Sequence, residues 1–154
     1  MSFKRILYAA KAREWAETAT AYVRDLALSE GAEVIVLRVT ETQAEQVALA
    51  KKLDADAAAG IAQRESASDL SDYRTAEMIV EGLLEDGIAA RVEIRQGRVA
   101  DEILAAADAL EVDLIAIGSV RRGALTALVT ASVPSEIVRR AVRPVLVIPD
   151  PPRG

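Results

Sequence analysis

Cysteine and histidine are both absent from this sequence. Without thiols there are no disulfides and no thiolate nucleophile. Without imidazole there is no Ser-His-Asp triad, no histidine base or pH switch, and none of the commonest zinc or haem ligation. Carboxylates remain as ligands for a hard cation such as magnesium. Long apolar runs are missing too: no stretch approaches the roughly 18 consecutive apolar residues of a membrane span. Positive charge is in deficit, with 19 basic against 24 acidic residues and a formal charge of −5. That balance favours solubility and argues against broad nucleic-acid binding. Met1-Ser2-Phe3-Lys4-Arg5 runs straight into a strand-like segment with no separate hydrophobic leader, so a cytoplasmic location is expected. Neither nucleic acid nor membrane is expected as a partner.

What is present suffices for one core. The 154 residues are 51% apolar, which fits one domain over 1–150 with a flexible C-terminal tail at 151–154. Ile6–Ala10, Glu33–Val39, Asp113–Gly118 and Pro144–Pro149 are short, nearly continuous apolar runs, the pattern of parallel strands covered on both faces. Ala90–Arg95 alternates instead, as an edge or half-exposed strand does. Between these lie helical patterns. Trp15, Ala19, Tyr22, Val23 and Leu26 recur on one face before Gly31, a helix stop. Asp101 opens a run in which Ile103, Leu104, Ala106, Ala107 and Leu110 cover a sheet. Ser132 stands as a cap for a helix carrying Val133, Ile137, Val138 and Ala141, with Pro134 tolerated in its first turn.

The region 41–86 is less regular. Val47, Ala50, Leu53, Ala57 and Ile61 support one helix, and Tyr73, Ala76, Ile79, Val80 and Leu83 a second, with a break over Ser66–Asp72. A single bent helix is the competing reading. Strands alternating with helices point to βα units with right-handed crossovers, hence an α/β three-layer sandwich.

Few residues outside that frame call for chemistry. Glu81, Glu85 and Asp86 read as a solvated helix face, and Asp101 and Glu102 as acids favoured near exposed helix-start amides. Asp113 has no evident carboxylate partner, and Trp15 and Tyr22 read as core or interface anchors. Ser132 has no histidine to activate it, so capping is favoured over phosphate contact and nothing marks a hydrolase.

The chain resembles the universal stress protein family across nearly its whole length. The likeness is carried by Lys4–Ala10, by Ala32–Val39 and by Gly97-Arg98-Val99-Ala100-Asp101-Glu102-Ile103. It is most specific in Asp113–Ser119, Ala131-Ser132-Val133 and Arg143–Pro149. Another small flavodoxin-like or receiver-like α/β domain is the competitor; a receiver is disfavoured because the first strand ends without the acidic cluster that its chemistry requires. The resemblance implies a five-stranded parallel sheet of order 3-2-1-4-5, Rossmann-like or flavodoxin-like, and a homodimer paired through the last strand, here Val145–Ile148.

The resemblance also defines a nucleotide site. In the ATP-binding branch an aspartate ends the first strand, a Gly-x-x-Gly segment follows the fourth, and a glycine with serine or threonine comes later. Glycines there let backbone amides approach phosphate closely. In this sequence Lys11 stands at the aspartate position, Gly118 keeps the first glycine, Arg121 replaces the second, and Ala131 replaces the third ahead of Ser132. Val39 matches the position beside adenine, and Gly97 the turn glycine before the next helix. Arginine adds bulk to a phosphate loop, and lysine cannot accept the bonds a carboxylate accepts. Lys11, Arg13, Arg121 and Arg122 would instead surround an anion, or simply solvate loops beside Glu14 and Glu41. The expectation is a stress-response regulatory or protein-interaction module with no enzyme activity, no cofactor and no conventional ATP binding. The alternative is a nucleotide-binding regulatory domain with altered phosphate recognition.

Overall fold

Ile6, Leu7 and Tyr8 are at most 1% exposed, which is what an apolar run with no polar alternation demands of a strand. The computed structural model describes residues 2–10, 13–40, 74–118 and 133–149. Along it run β1 (Arg5–Ala9), α1 (Arg13–Glu30), β2 (Glu33–Thr40), α2 (74–85), β3 (Ala90–Gln96), α3 (Val99–Ala109), β4 (Leu114–Gly118), α4 (Val133–Arg140) and β5 (Val145–Ile148). The strands form one parallel sheet in the order β3-β2-β1-β4-β5, as the resemblance implies.

Side chains alternate across each strand, so the sheet divides the core in two. On one face Ile6, Tyr8, Val34, Val36, Leu114 and Ala116 meet Ala19, Val23 and Ala27 of α1 and Ala76, Ile79 and Leu83 of α2. On the other, Leu7, Ile35, Leu37, Ile115 and Ile117 meet Ile103, Ala106 and Ala107 of α3 and Ile137 of α4. Each fully buried Leu or Ile contributes about 1.5–3 kcal/mol. The buried Tyr8 hydroxyl shares a 3.2 Å hydrogen bond with Thr20 Oγ1. Burial pushes the Tyr8 phenol above its usual value, and the Thr20 bond partly opposes that rise.

The helical stripes differ in detail from expectation. In α1 the inward row is Ala19, Val23 and Ala27, while Tyr22 is 58% exposed. Alanines let the helix lie close to the sheet, and Tyr22 falls beside that row rather than on it. The Trp15 side chain lies outside the described part. The expected second helix of 41–86 is present as α2, whereas the first helix and the break at 66–72 lie outside the described residues. Glu81, Glu85 and Asp86 are exposed, as a solvated face should be. α3 begins at Val99, two residues before Asp101, with Asp101 and Glu102 in its first turn. Leu104, and Leu110 just after the helix, are only partly buried.

Asp113 holds the far end of the sheet together. Its Oδ2 accepts the backbone N–H of Lys4 at 2.8 Å and of Arg5 at 2.9 Å, tying the start of β1 to the start of β4. Arg5 pairs with Glu33 on the neighbouring strand and donates to the Leu110 carbonyl at 2.6 Å. α1 ends on Gly31, whose φ of +65° turns the chain so that the Ala32 N–H reaches the Ala27 carbonyl at 3.0 Å.

Candidate functional site

The chain leaves β1 for β2 on one side and later returns to β4 on the other, so strand order reverses between β1 and β4. Crevices at the carboxyl ends of strands at such a reversal are the usual ligand position of open α/β sheets. Ala9 pairs with Ile117, so Ala10 and Gly118 stand at the two tips that flank the reversal. Gly118 also faces Ile148 across β5.

Val39 lies two residues beyond Leu37 on β2, opposite Arg95 of β3, and packs with Ala9 against the layer of α3 and α4. Gly97 directly follows β3 and is buried, with φ +151°, a conformation that favours glycine. A Cβ placed there would meet Glu102 Oε1 at 2.7 Å and Glu102 Cγ at 2.8 Å. The Glu102 carboxylate is thus folded back over the turn, with Arg95 Nη1 3.8 Å from its other oxygen.

Three of the six expected site residues are therefore placed at the strand tips: Val39 and Gly97 on the β2–β3 side, Gly118 beyond β1. Lys11, Arg121 and Ser132 lie outside the described residues, as do Arg122, Ala131 and the side chain of Arg13. Sequence reasoning missed Arg38. Its half-buried side chain crosses from β2 to the tip of β1, where Nη1 donates to the Ala10 carbonyl at 3.3 Å. The available signal was its place in the Val34-Val36-Arg38 alternation, which puts a cation at the end of an otherwise apolar row.

Beside Gly97, four charges join the start of α3 to α4: Arg98 just before α3, Asp101 in its first turn, and Glu136 and Arg140 in the first and last turns of α4. Arg98 donates to both Glu136 oxygens, at 2.8 and 2.9 Å, and to Asp101 at 3.2 Å. Arg140 donates to Asp101 at 2.7 Å and to Glu136 at 3.0 Å. The bond from Arg98 holds the Glu136 carboxyl below its usual value, with Arg140 adding to the effect. The bond from Arg140 does the same to Asp101, with Arg98 adding to it. Among the described residues no group of three carboxylates is placed to hold a metal ion, and no helix is long and apolar enough to cross a membrane.

The model of the universal stress protein family matches residues 2–149. Among curated proteins none matches the sequence. Among solved structures the chain is similar to hypothetical protein MJ0577, at 24% identity over 99% of this chain and 100% of that one, with a TM-score of 0.75. It is similar to the universal stress protein from Archaeoglobus fulgidus in complex with dAMP, at 17% identity, 94% and 96% coverage and a TM-score of 0.63. A universal stress protein in complex with cAMP is 17% identical over 96% of this chain and 98% of that one, with a TM-score of 0.71. At these identities the structural likeness is one of fold.

Proposed function

The chain belongs to the universal stress protein family, and from that premise we propose that it is a non-catalytic regulatory or protein-interaction module that does not bind ATP in the family's conventional way. One observation carries this reading: the three positions that would hold a carboxylate and two glycines around the triphosphate are Lys11, Arg121 and Ala131. A triphosphate cradle depends on close main-chain approach, and an arginine side chain in that loop works against it. The working form in this reading is a cytoplasmic homodimer, joined through β5, that meets other proteins. β5 pairs with β4 on one side, and Val147 is 37% exposed.

A second reading has its own support. Arg38 brings a guanidinium to the tip of β1, immediately before Lys11, and two fold relatives are complexes with dAMP and cAMP. Both ligands carry a single phosphate, which two cations can hold without an extended glycine cradle. In this alternative the protein is a nucleotide-binding regulatory domain with altered phosphate recognition. Adenine would lie near Val39 and Gly118, and phosphate near Arg121 and Ser132.

Mass spectrometry of small molecules released by denaturing freshly purified protein separates the two. The leading reading expects no nucleotide. A stoichiometric mononucleotide selects the second reading, and stoichiometric ATP overturns the first outright.

A further inference from the structure

α4 and β5 are held to the molecule by little apolar burial. In α4 only Pro134 and Ile137 are buried, and in β5 only Ile148. Val138 is 55% exposed, and Val142 in the turn that follows is 87% exposed. By contrast, α3 buries Ala100, Ile103, Ala106 and Ala107, and β4 buries four of its five residues. Segments with few buried apolar side chains open locally at much lower free energy than the whole fold.

Charge supplies what burial does not. The contacts among Arg98, Asp101, Glu136 and Arg140 close into a ring in which every charge has two neighbours of opposite sign. An isolated exposed ion pair adds little, but a network with a bidentate arginine fork is the case in which such pairs count. Arg98 and Arg140 side chains are 56% and 45% exposed, so the ring is open to screening by salt. Glu136, at 18%, is its most enclosed member and accepts from both arginines.

We infer that this ring is a salt-sensitive latch: it holds α4 against α3, and its release lets α4 open as a unit while β1, β2 and α1 stay folded. The latch lies next to the candidate site in the chain, since Arg98 follows Gly97 and Ser132 precedes α4. The inference does not depend on whether the candidate site takes a ligand.

Hydrogen exchange of the full-length protein, read by mass spectrometry, tests it. In Glu136→Gln, amides of residues 135–140 should exchange about 3- to 10-fold faster, with those of α1 and β1 unchanged. High sodium chloride should produce the same local acceleration in the wild type and add little in the variant. Arg91→Gln, which removes an exposed pair with Glu93 on β3, should leave α4 unaffected. A Glu136→Gln protein with wild-type α4 rates, or with acceleration spread equally over α1 and the sheet, overturns the latch. If that variant folds poorly, the wild-type salt series decides, and α4 rates that ignore salt overturn the idea equally.

Discussion

The Glu102 carboxylate occupies the space that a side chain at Gly97 would need: a Cβ there would lie 2.7 Å from Oε1 and 3.0 Å from Cδ. Two constraints coincide at this turn, a φ of +151° and a lack of room. Gly97→Ala should therefore destabilise the fold by about 1–3 kcal/mol, the usual cost of a residue held in a sparsely populated backbone region. Urea unfolding measures it. Adding Glu102→Ala should recover the part due to overlap and none of the part due to backbone. Full recovery in the double variant would mean that the backbone is unstrained there.

Glu111 presents the opposite case. It follows α3 with φ +50°, and the next residue, Val112, donates its N–H to the Ala107 carbonyl at 3.1 Å. This is the same closing bond made after Gly31, but here a side chain must tolerate the left-handed turn. That conformation costs an L-residue about 1–2 kcal/mol, against about 0.5–1 kcal/mol for the extra freedom glycine loses on folding. Glu111→Gly should thus stabilise the protein by about 0.5–1 kcal/mol in thermal or urea unfolding. A loss of stability would show that the Glu111 side chain contributes more than its backbone costs.

The sheet was legible because its signals are local. Ile6–Ala10, Val34–Leu37 and Leu114–Gly118 are apolar on both faces, and Arg91, Glu93 and Arg95 alternate along an edge strand. The helix faces were less so: Tyr22 looks like an anchor by size, yet the close-packing row is Ala19, Val23 and Ala27. What sequence could not supply was pairing at a distance. Asp113 finds its partners 108 and 109 positions away, and Arg98 reaches Glu136 across 38. Of the site positions that family resemblance names, Val39, Gly97 and Gly118 lie at or beside strand ends, where the topology could be anticipated. Arg38 was hidden among β-branched neighbours and emerged only when β1 and β2 were placed side by side.

Asp113 should give the protein a distinct acid sensitivity. Its carboxyl is held below the usual aspartate value of 3.8, chiefly by the Lys4 amide and then by the Arg5 amide. The folded state therefore binds this proton less readily than the unfolded chain. The stabilisation is complete above the usual value, where both states are ionised, and is lost as pH falls through the lower folded value. Asp113→Asn should lower the urea midpoint most at neutral pH. The gap to wild type should shrink steadily once the pH drops below the ordinary aspartate range. A gap that stays constant down to strong acid would show that the two amide bonds do not depend on the charge.

The last strand offers the test of assembly. An exposed, apolar sheet edge is a template for pairing with another chain, and proteins that leave one uncovered usually charge it. β5 carries no charge in Val145–Ile148, and exposed Val138 and Val142 stand on the helix and turn that precede it. Two copies paired edge to edge would bring the central residues of both strands together, where like charges oppose association. For the proposed β5-paired dimer, Val147→Asp should therefore give a monomer of half the mass by light scattering, with circular dichroism unchanged because Val147 is 37% exposed. If the variant keeps its fold and its assembly, the copies meet through some other surface.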